Sequence, residues 1–307
     1  MNPVRGILLK LCAVLLFSIM AALIKASAPH VPPWQAVFFR SFFALPVILI
    51  WIASRGTIRE GLRVSDPISH FWRGFIGTTA MALAFAALGL LPLPEVTAIG
   101  FTAPLMTVIF AAMFLGERIR LFRLSAVGIG LVGVVIILYP RLSFLGLEEA
   151  QTLATLGAFL ALGSAVFRAL AHVYIRKLTK TDQTSAIVFF FSLTASCLSF
   201  LTIPLGWVMP TPQEFLFLIG AGLVGGAAQI FLTSGYRCAE AGVLAPFDYV
   251  SMIFSLLIGW FIFAEAPTWV MLAGATLIIG SGITIIWRER QLGVRRSKAR
   301  ANLTPQG

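Results

Sequence analysis

The chain has 307 residues and a mean hydropathy of +0.94, with 59% hydrophobic residues and only 11% charged ones. Soluble domains carry about 25% charged residues, so this composition excludes an ordinary soluble globular protein. The net charge of +11 is therefore interpreted as a sign of membrane topology and not of nucleic-acid binding. The three cysteines, Cys12, Cys197 and Cys238, have no paired spacing that would indicate a disulfide framework or a zinc site.

Ten apolar windows follow one another along the chain, each close to the length of about 20 residues that a helix needs to cross a bilayer. They cover residues 7–25, 34–53, 69–90, 94–115, 122–139, 152–174, 184–206, 214–235, 242–264 and 268–287. The first window is predicted to be a span and not a cleaved signal peptide. It exceeds the usual apolar region of about 7 to 15 residues, and Lys25 stands where a cleavage site needs a small residue. The turns between windows are too short to hold a soluble domain.

The basic residues predict the orientation of the chain. With the N-terminus in the cytoplasm, seventeen of the 23 Lys and Arg residues fall on the cytoplasmic side, and only Lys25 and Arg141 fall on the opposite side. Cytoplasmic loops carry an excess of Lys and Arg, so both termini are predicted to be cytoplasmic. The expected location is the inner, cytoplasmic membrane.

Two segments of similar pattern indicate an internal duplication. Residues 94–118 and 242–266 align at an offset of 148 positions, which places Glu117 on Glu265. Five spans separate the copies, and an odd offset inverts one copy relative to the other. The predicted fold is an all-α membrane protein with ten transmembrane helices as two inverted five-helix repeats, residues 5–141 and 150–288, followed by a basic cytoplasmic tail, residues 289–307. Many secondary transporters have this architecture, although an inverted repeat can also be a mere relic of duplication.

The fourth span also carries a recognisable motif, an apolar helix centred on Pro104 that ends in Gly-Glu-Arg at residues 116–118 and is echoed by Ala264-Glu265. With the ten short spans, it resembles the drug/metabolite transporter superfamily with two EamA domains. The resemblance implies movement of small organic solutes through a cavity lined by spans 1, 3, 4, 6, 8 and 9. The second copy departs from the pattern, because Pro246 lies six residues earlier in register than Pro104.

Charges inside spans are the most informative single residues, because an intramembrane charge is costly and marks a functional site by default. Arg40, Arg168 and Asp248 lie well inside their spans, and Arg168 and Asp248 are expected at similar depth. They form either a structural pair or a substrate-facing pair, and an unpartnered Asp248 could carry a coupling proton. Lys10 and Arg73 lie near cytoplasmic ends and are predicted to snorkel to the headgroups.

Proline breaks in spans four and nine free backbone carbonyls, which persist only beside protein or a wet cavity. Hydroxyls near the breaks could hydrogen-bond a polar solute, and aromatic rings could stack on a planar one. The predicted substrate cavity is therefore lined by Phe85, Thr97, Phe101, Thr102, Pro104, Arg168, Pro246, Phe247, Asp248 and Tyr249. The segment GIGLVG, residues 128–133, matches a dinucleotide fingerprint but lies inside a span, where its glycines predict close helix packing.

The predicted function is secondary transport of a small organic metabolite by alternating access. The sequence contains no P-loop pattern, so the energy would come from a gradient or from a partner subunit. An intramembrane enzyme is the alternative from another class, but H-E-x-x-H and clustered catalytic residues are missing from the sequence. A non-enzyme without cofactor or metal is predicted, with a small organic molecule and the lipid bilayer as partners, no nucleic acid, and a homodimer left open.

The substrate is predicted only by resemblance. Within the family the sequence is similar to bacterial members assigned to riboflavin uptake, and less so to those assigned to S-adenosylmethionine. A flat, largely uncharged flavin would suit an aromatic, hydroxyl-lined cavity, and the scarcity of buried acid favours riboflavin slightly. S-adenosylmethionine would require Asp248 and an Arg exposed in the cavity. Amino acids or drugs, moved in either direction, are further alternatives.

Overall fold

A computed structural model describes residues 3–54, 61–115, 121–142, 149–178, 181–238 and 244–301. All the regular elements in these ranges are helical. The α-helices are α1 (Pro3–Ser27), α2 (Pro33–Ala53), α3 (Pro67–Leu90), α4 (Leu93–Gly100), α5 (Thr102–Leu115), α6 (Leu121–Leu142), α7 (Glu149–Leu178), α8 (Thr184–Phe200), α9 (Pro212–Cys238), α10 (Val250–Phe263) and α11 (Trp269–Ala301), with 3₁₀ turns at Ile203–Leu205 and Ala245–Tyr249. The Gly-Glu-Arg motif at 116–118 and the tail beyond residue 301 lie outside the described residues.

Five of these helices are long and apolar enough to cross a membrane: 4–27, 33–53, 67–90, 152–175 and 212–232. Shorter apolar helices cover 124–140, 184–200, 247–263 and 269–285. The fourth span is divided between α4 and α5, and the ninth consists of the 3₁₀ turn 245–249 followed by α10. The prediction of ten transmembrane helices in two inverted repeats is confirmed.

Helix contacts follow the symmetry that an inverted repeat requires. Span one packs on span eight (α1 on α9), and the equivalent contact of the other repeat, span six on span three, is made by α7 on α3. Equivalent spans also meet each other, as α2 with α8, α4 with α10 and α6 with α11. Each repeat therefore packs mainly against the other, and the interior between the repeats is formed by helices from both.

Glycines bring α6 and α11 into backbone contact. A Cβ added to Gly133 would lie 2.6 Å from the carbonyl oxygen of Gly274, and a Cβ on Gly274 would lie 2.5 Å from that of Gly133. This agrees with the packing interpretation of residues 128–133, because only residues without a side chain allow helices to approach so closely. Gly128 is an exception, since it is exposed and a Cβ added there would meet nothing within 4 Å.

Asp182, a carboxylate of the second repeat, connects two loops of the helix bundle. Asp182, whose side chain is 1% exposed, contacts His70 Nε2 of α3 at 2.7 Å and accepts a hydrogen bond from the Ser65 N–H at 3.1 Å. Burial alone would raise the pKa of Asp182, but the hydrogen bonds from Ser65 and His70 outweigh it and hold this pKa below its usual value. The cluster connects the first repeat to the loop that precedes α8.

This lowered pKa predicts a pH-dependent contribution to stability. Because the pKa of Asp182 is lower in the folded protein, its contribution is complete above the unfolded value of about 3.9 and is lost as the pH falls through the folded value. At neutral pH we expect Asp182→Asn to lower Tm by roughly 3–8 °C, because a hydrogen bond to a charged group contributes about 1.5–3 kcal/mol. Melting curves between pH 7 and 3 should show this gap closing on acidification. A gap that stays constant would contradict the assignment.

Candidate functional site

The helix breaks of the two repeats meet in the middle of the molecule. Phe101 separates α4 from α5, and Tyr249 ends the 3₁₀ turn before α10. These two residues are equivalent at the offset of 148, and their rings contact edge to face with centroids 5.0 Å apart. The breaks are therefore equivalent although the two prolines are out of register. Pro246 lies in the 3₁₀ turn, whereas Pro104 is exposed in the first turn of α5, where a missing N–H costs no helical bond.

An ion pair joins the ninth span to α1. The Lys10 Nζ lies 2.6 Å from Asp248 Oδ1, and the Lys10 side chain is 3% exposed whereas that of Asp248 is 47% exposed. The expectation that Lys10 snorkels to the headgroups is wrong, because its ammonium is buried and turned to the 3₁₀ turn. Each partner is near the same end of its span, so the lysine stem can reach the acid. A search of the sequence for an acidic residue at the same membrane depth as Lys10 could have predicted this pair.

Arg168 faces Asp248 from α7. Its guanidinium Nη2 donates to the Ser164 Oγ at 3.3 Å, and Ser164 in turn donates to the Ala80 carbonyl of α3 at 2.7 Å. A Cβ on Gly100, the position equivalent to Asp248, would lie 3.4 Å from Arg168 Nη1. Arg168 therefore lies against the end of α4, oriented by a hydroxyl that is itself anchored to the first repeat. The importance of Ser164 was not predicted from the sequence.

Arg168 and Asp248 lie near each other between the two repeats. Arg168 is within electrostatic range of Asp248 and is surrounded by helices, yet the residue is exposed. Both charged residues are therefore accessible to solvent. The structure brings the two predicted residues to one depth, but the ion pair of Asp248 is with Lys10. Among the described residues Arg168 forms no ion pair, whereas the nearby Asp248 carboxylate contacts the Lys10 ammonium.

The other predicted lining residues are mostly buried among apolar side chains. Phe85 is 5% exposed and packs in the main core, and Phe101 and Tyr249 are 7% and 8% exposed because they cover each other. Thr102 is fully buried with an unpartnered hydroxyl, whereas the Thr97 hydroxyl donates to the Leu93 carbonyl. Phe247 is partly buried beside Asp248. Their role in substrate binding stays a prediction.

Arg40, the third predicted intramembrane charge, does not lie beside Arg168 and Asp248. Arg40 of α2 is buried with Arg73 of α3, and both guanidinium groups lie near the ring of Phe191 in α8. The expectation that Arg73 snorkels is wrong, because only 7% of this residue is exposed. Arg40 and Arg73 face the helices and not the headgroups.

A second ion pair ties α1 to the ninth span at the opposite face of the membrane. Lys25 Nζ lies 2.8 Å from Glu265 Oε1, and Glu265 Oε2 accepts from the Leu93 N–H at 2.8 Å. Lys25 also donates to the carbonyls of Leu88 and Leu91, at 3.1 and 2.7 Å. Ala264 adopts a left-handed conformation with φ 54°, so the Glu265 N–H returns to the Gly259 carbonyl and the carboxylate turns towards α1. The pair closes that end between α1, α3, α4 and α10.

Ten membrane helices in two inverted repeats, with the charged groups of Lys10, Arg168 and Asp248 brought together between them, define a multi-pass membrane transport protein. The chain belongs to the EamA-like transporter family, whose model matches residues 4–139 and 155–287. The prediction of a transporter and not an enzyme is confirmed.

Curated relatives are transporters with different named substrates. The chain is 31% identical to the pseudopaline exporter of Pseudomonas aeruginosa, over 91% of this chain and 95% of the relative. It is 29% identical to a riboflavin transporter of Vibrio cholerae, over 91% of each chain. It is 26% identical to an S-adenosylmethionine uptake transporter of Rickettsia felis, over 87% of each. A crystal structure with 24% identity superposes with a TM-score of 0.64, over 92% of this chain and 97% of that one, and shows the fold.

Proposed function

We propose that this protein is a secondary transporter that moves a small zwitterionic organic metabolite across the cytoplasmic membrane by alternating access, with both termini in the cytoplasm. The observation that supports the proposal is that the exposed residue Arg168 lies within electrostatic range of the half-exposed Asp248 carboxylate between the repeats. A substrate carboxylate would bind Arg168, and a substrate ammonium or sulfonium would approach Asp248.

The hydrogen bonds of Arg168 support a zwitterion over an uncharged solute. Among the described residues its guanidinium donates to the neutral Ser164 hydroxyl, so a substrate carboxylate would supply a charged acceptor. A substrate cation competes with Lys10 for the carboxylate, and the half-exposed Asp248 leaves oxygen surface for it. S-adenosylmethionine and α-amino acids have both groups. The exposed Arg168 near the half-exposed Asp248 supports substrates of this kind.

Riboflavin is the second candidate. It is supported by the Vibrio cholerae relative and by the aromatic residues at the helix breaks. The support is weaker than for a zwitterion, because Phe101 and Tyr249 bury each other and leave little free ring face for a flavin.

Transport by purified protein in liposomes tests both candidates. The experiment compares three labelled substrates: S-adenosylmethionine, a mixture of α-amino acids, and riboflavin. Each is measured with and without an excess of the unlabelled compounds as competitors. For a zwitterion we expect Arg168→Gln to raise KM by about 10- to 100-fold, because a charge-assisted hydrogen bond contributes about 1.5–3 kcal/mol. A carboxamide analogue should be affected much less, and the exposed loop variant Arg63→Gln should transport normally.

Two results would contradict the proposal. Saturable riboflavin transport that Arg168→Gln leaves unchanged would replace the zwitterion by the flavin. Equal loss with the substrate and its carboxamide would show that Arg168 does not bind the carboxylate.

A further inference from the structure

Two arginines lie together inside the membrane bundle, away from the proposed transport site. Arg40 of α2 and Arg73 of α3 are 5% and 7% exposed. The Cζ atom of Arg73 lies 3.7 Å from the ring centroid of Phe191 in α8, and that of Arg40 lies 5.8 Å from the same centroid. The two guanidinium groups therefore share one aromatic ring and lie within electrostatic range of each other.

Several N–H groups of these arginines have no acceptor. Arg40 Nε, Arg73 Nε and Arg73 Nη1 are buried without a hydrogen-bond partner. In the part of the chain that the structure describes, no acidic side chain forms an ion pair with either arginine. Buried polar groups are nearly always hydrogen-bonded, and buried charges are paired, because the cost of leaving them unmatched is high.

The usual ways of tolerating a buried charge do not apply here. Arginine stays protonated in proteins, so the charges cannot be removed by titration. Snorkelling would expose the guanidinium groups, and these are buried. The Phe191 ring attracts the cations but offers its face and no hydrogen-bond acceptor in the guanidinium plane. Two like charges in a medium of low dielectric also repel each other.

Glycines allow the two guanidinium groups to pack closely against the neighbouring helices. A Cβ on Gly77 would lie 3.2 Å from Arg73 Nη1 and 2.9 Å from the Phe191 ring, and a Cβ on Gly225 of α9 would lie 3.4 Å from Arg40 Nε. The pair is thus built into the contact between α2, α3, α8 and α9. It shares no residue with the Lys10, Asp248 and Arg168 centre.

We propose that Arg40 and Arg73 form a binding site for one oxyanion, a carboxylate or a phosphate, held inside the helix bundle. The planar fork of a guanidinium matches the two oxygens of such a group, and one anion between two arginines removes the repulsion and satisfies the free N–H groups. The same chemistry is offered by a free anion and by the phosphate of a lipid headgroup. The site does not depend on which substrate is transported.

Thermal stability of the full-length protein, exchanged into a nonionic maltoside detergent in chloride buffer without oxyanions, tests the site. Sodium phosphate or acetate is added at constant ionic strength, with chloride as the balancing ion. We expect a saturable rise in Tm of roughly 5 °C for the wild type. Arg40→Gln and Arg73→Gln should lose this rise, whereas the exposed variant Arg63→Gln should keep it. Without added anion, Arg40→Gln should melt no lower than the wild type, because the repulsion is relieved.

A second arm identifies the source of the anion. Detergent micelles with added phosphatidylglycerol are compared with detergent alone, and native mass spectrometry is used to look for a bound phosphate or phospholipid. Stabilisation only by phosphatidylglycerol, lost in both variants, supports a lipid headgroup, and stabilisation by phosphate or acetate supports a free anion. The proposal is overturned if no probe stabilises the wild type beyond the glutamine variants and their bound masses are the same. If both variants fail to fold, the wild-type titration and its bound mass decide.

Discussion

Replacing Asp248 by Asn should reduce transport of a cationic or zwitterionic substrate by about 10- to 100-fold in kcat/KM. The carboxylate is the negative charge that a substrate cation would meet in the interior, and a charge-assisted hydrogen bond contributes about 1.5–3 kcal/mol. The substitution also removes the carboxylate that contacts the buried Lys10 ammonium. Initial uptake rates in liposomes, normalised to the amount of folded protein, give the effect.

A double substitution separates the substrate role of Asp248 from its structural role. Lys10→Met combined with Asp248→Asn removes both members of the pair, so the penalty of a buried ammonium beside a neutral amide is absent. We expect this variant to recover thermal stability relative to Asp248→Asn but not transport. Recovery of transport together with stability would mean that Asp248 serves only to neutralise Lys10, and that the substrate cation binds elsewhere.

Replacing Glu265 by Gln should open the end of the molecule that Lys25 and Glu265 close. The carboxylate joins Lys25 to the Leu93 N–H, and the two side chains are only 12% and 16% exposed. Loss of a charged hydrogen bond worth about 1.5–3 kcal/mol should shift the opening equilibrium about 10- to 100-fold. The rate of thiol labelling measures this at Val96→Cys, a buried position one turn into α4, in a variant without native cysteines.

The matched control for this prediction is Glu214→Gln. Glu214 is 16% exposed like Glu265, and its Oε2 lies 3.0 Å from His30 Nδ1 near the same face, but His30 is 48% exposed and Glu214 lies at the start of α9. A pair with one exposed partner contributes little, and this one does not join α1 to the ninth span, so labelling of Val96→Cys should stay at the wild-type rate in this variant. Equal acceleration by both substitutions, or by neither, would exclude a specific closing role for Glu265.

The two ion pairs provide a structural basis for alternating access in this chain, because each holds α1 to the ninth span at a different end. Both connect α1 to the ninth span, Lys10 to Asp248 towards one face and Lys25 to Glu265 at the other. If a substrate cation competes with Lys10 for Asp248, binding weakens one attachment of α1 while the other remains. Because the halves can then tilt about their shared contacts, the substrate biases the conformational equilibrium through its own binding energy.

The sequence by itself determined the class, the span count and the inverted duplication. These properties depend on sums over many residues, such as hydropathy over windows of about 20 positions and the odd number of spans between two similar segments. A wrong expectation about one side chain changes such a sum very little. The intramembrane charges Arg168 and Asp248 also stood out, because a charge in an apolar span is rare whatever it contacts.

Only the tertiary structure decided which charges meet. Lys10 and Asp248 are separated by most of the chain, and Arg40 and Arg73 lie on different helices, so their contacts depend on helix rotation and packing. Depth along a span follows from the sequence at 1.5 Å per residue, but the direction of a side chain around the helix axis depends on its neighbours. For this reason Lys10 and Arg73 were expected at the headgroups, whereas the packing of α1 on the ninth span and of α3 on α8 buries both.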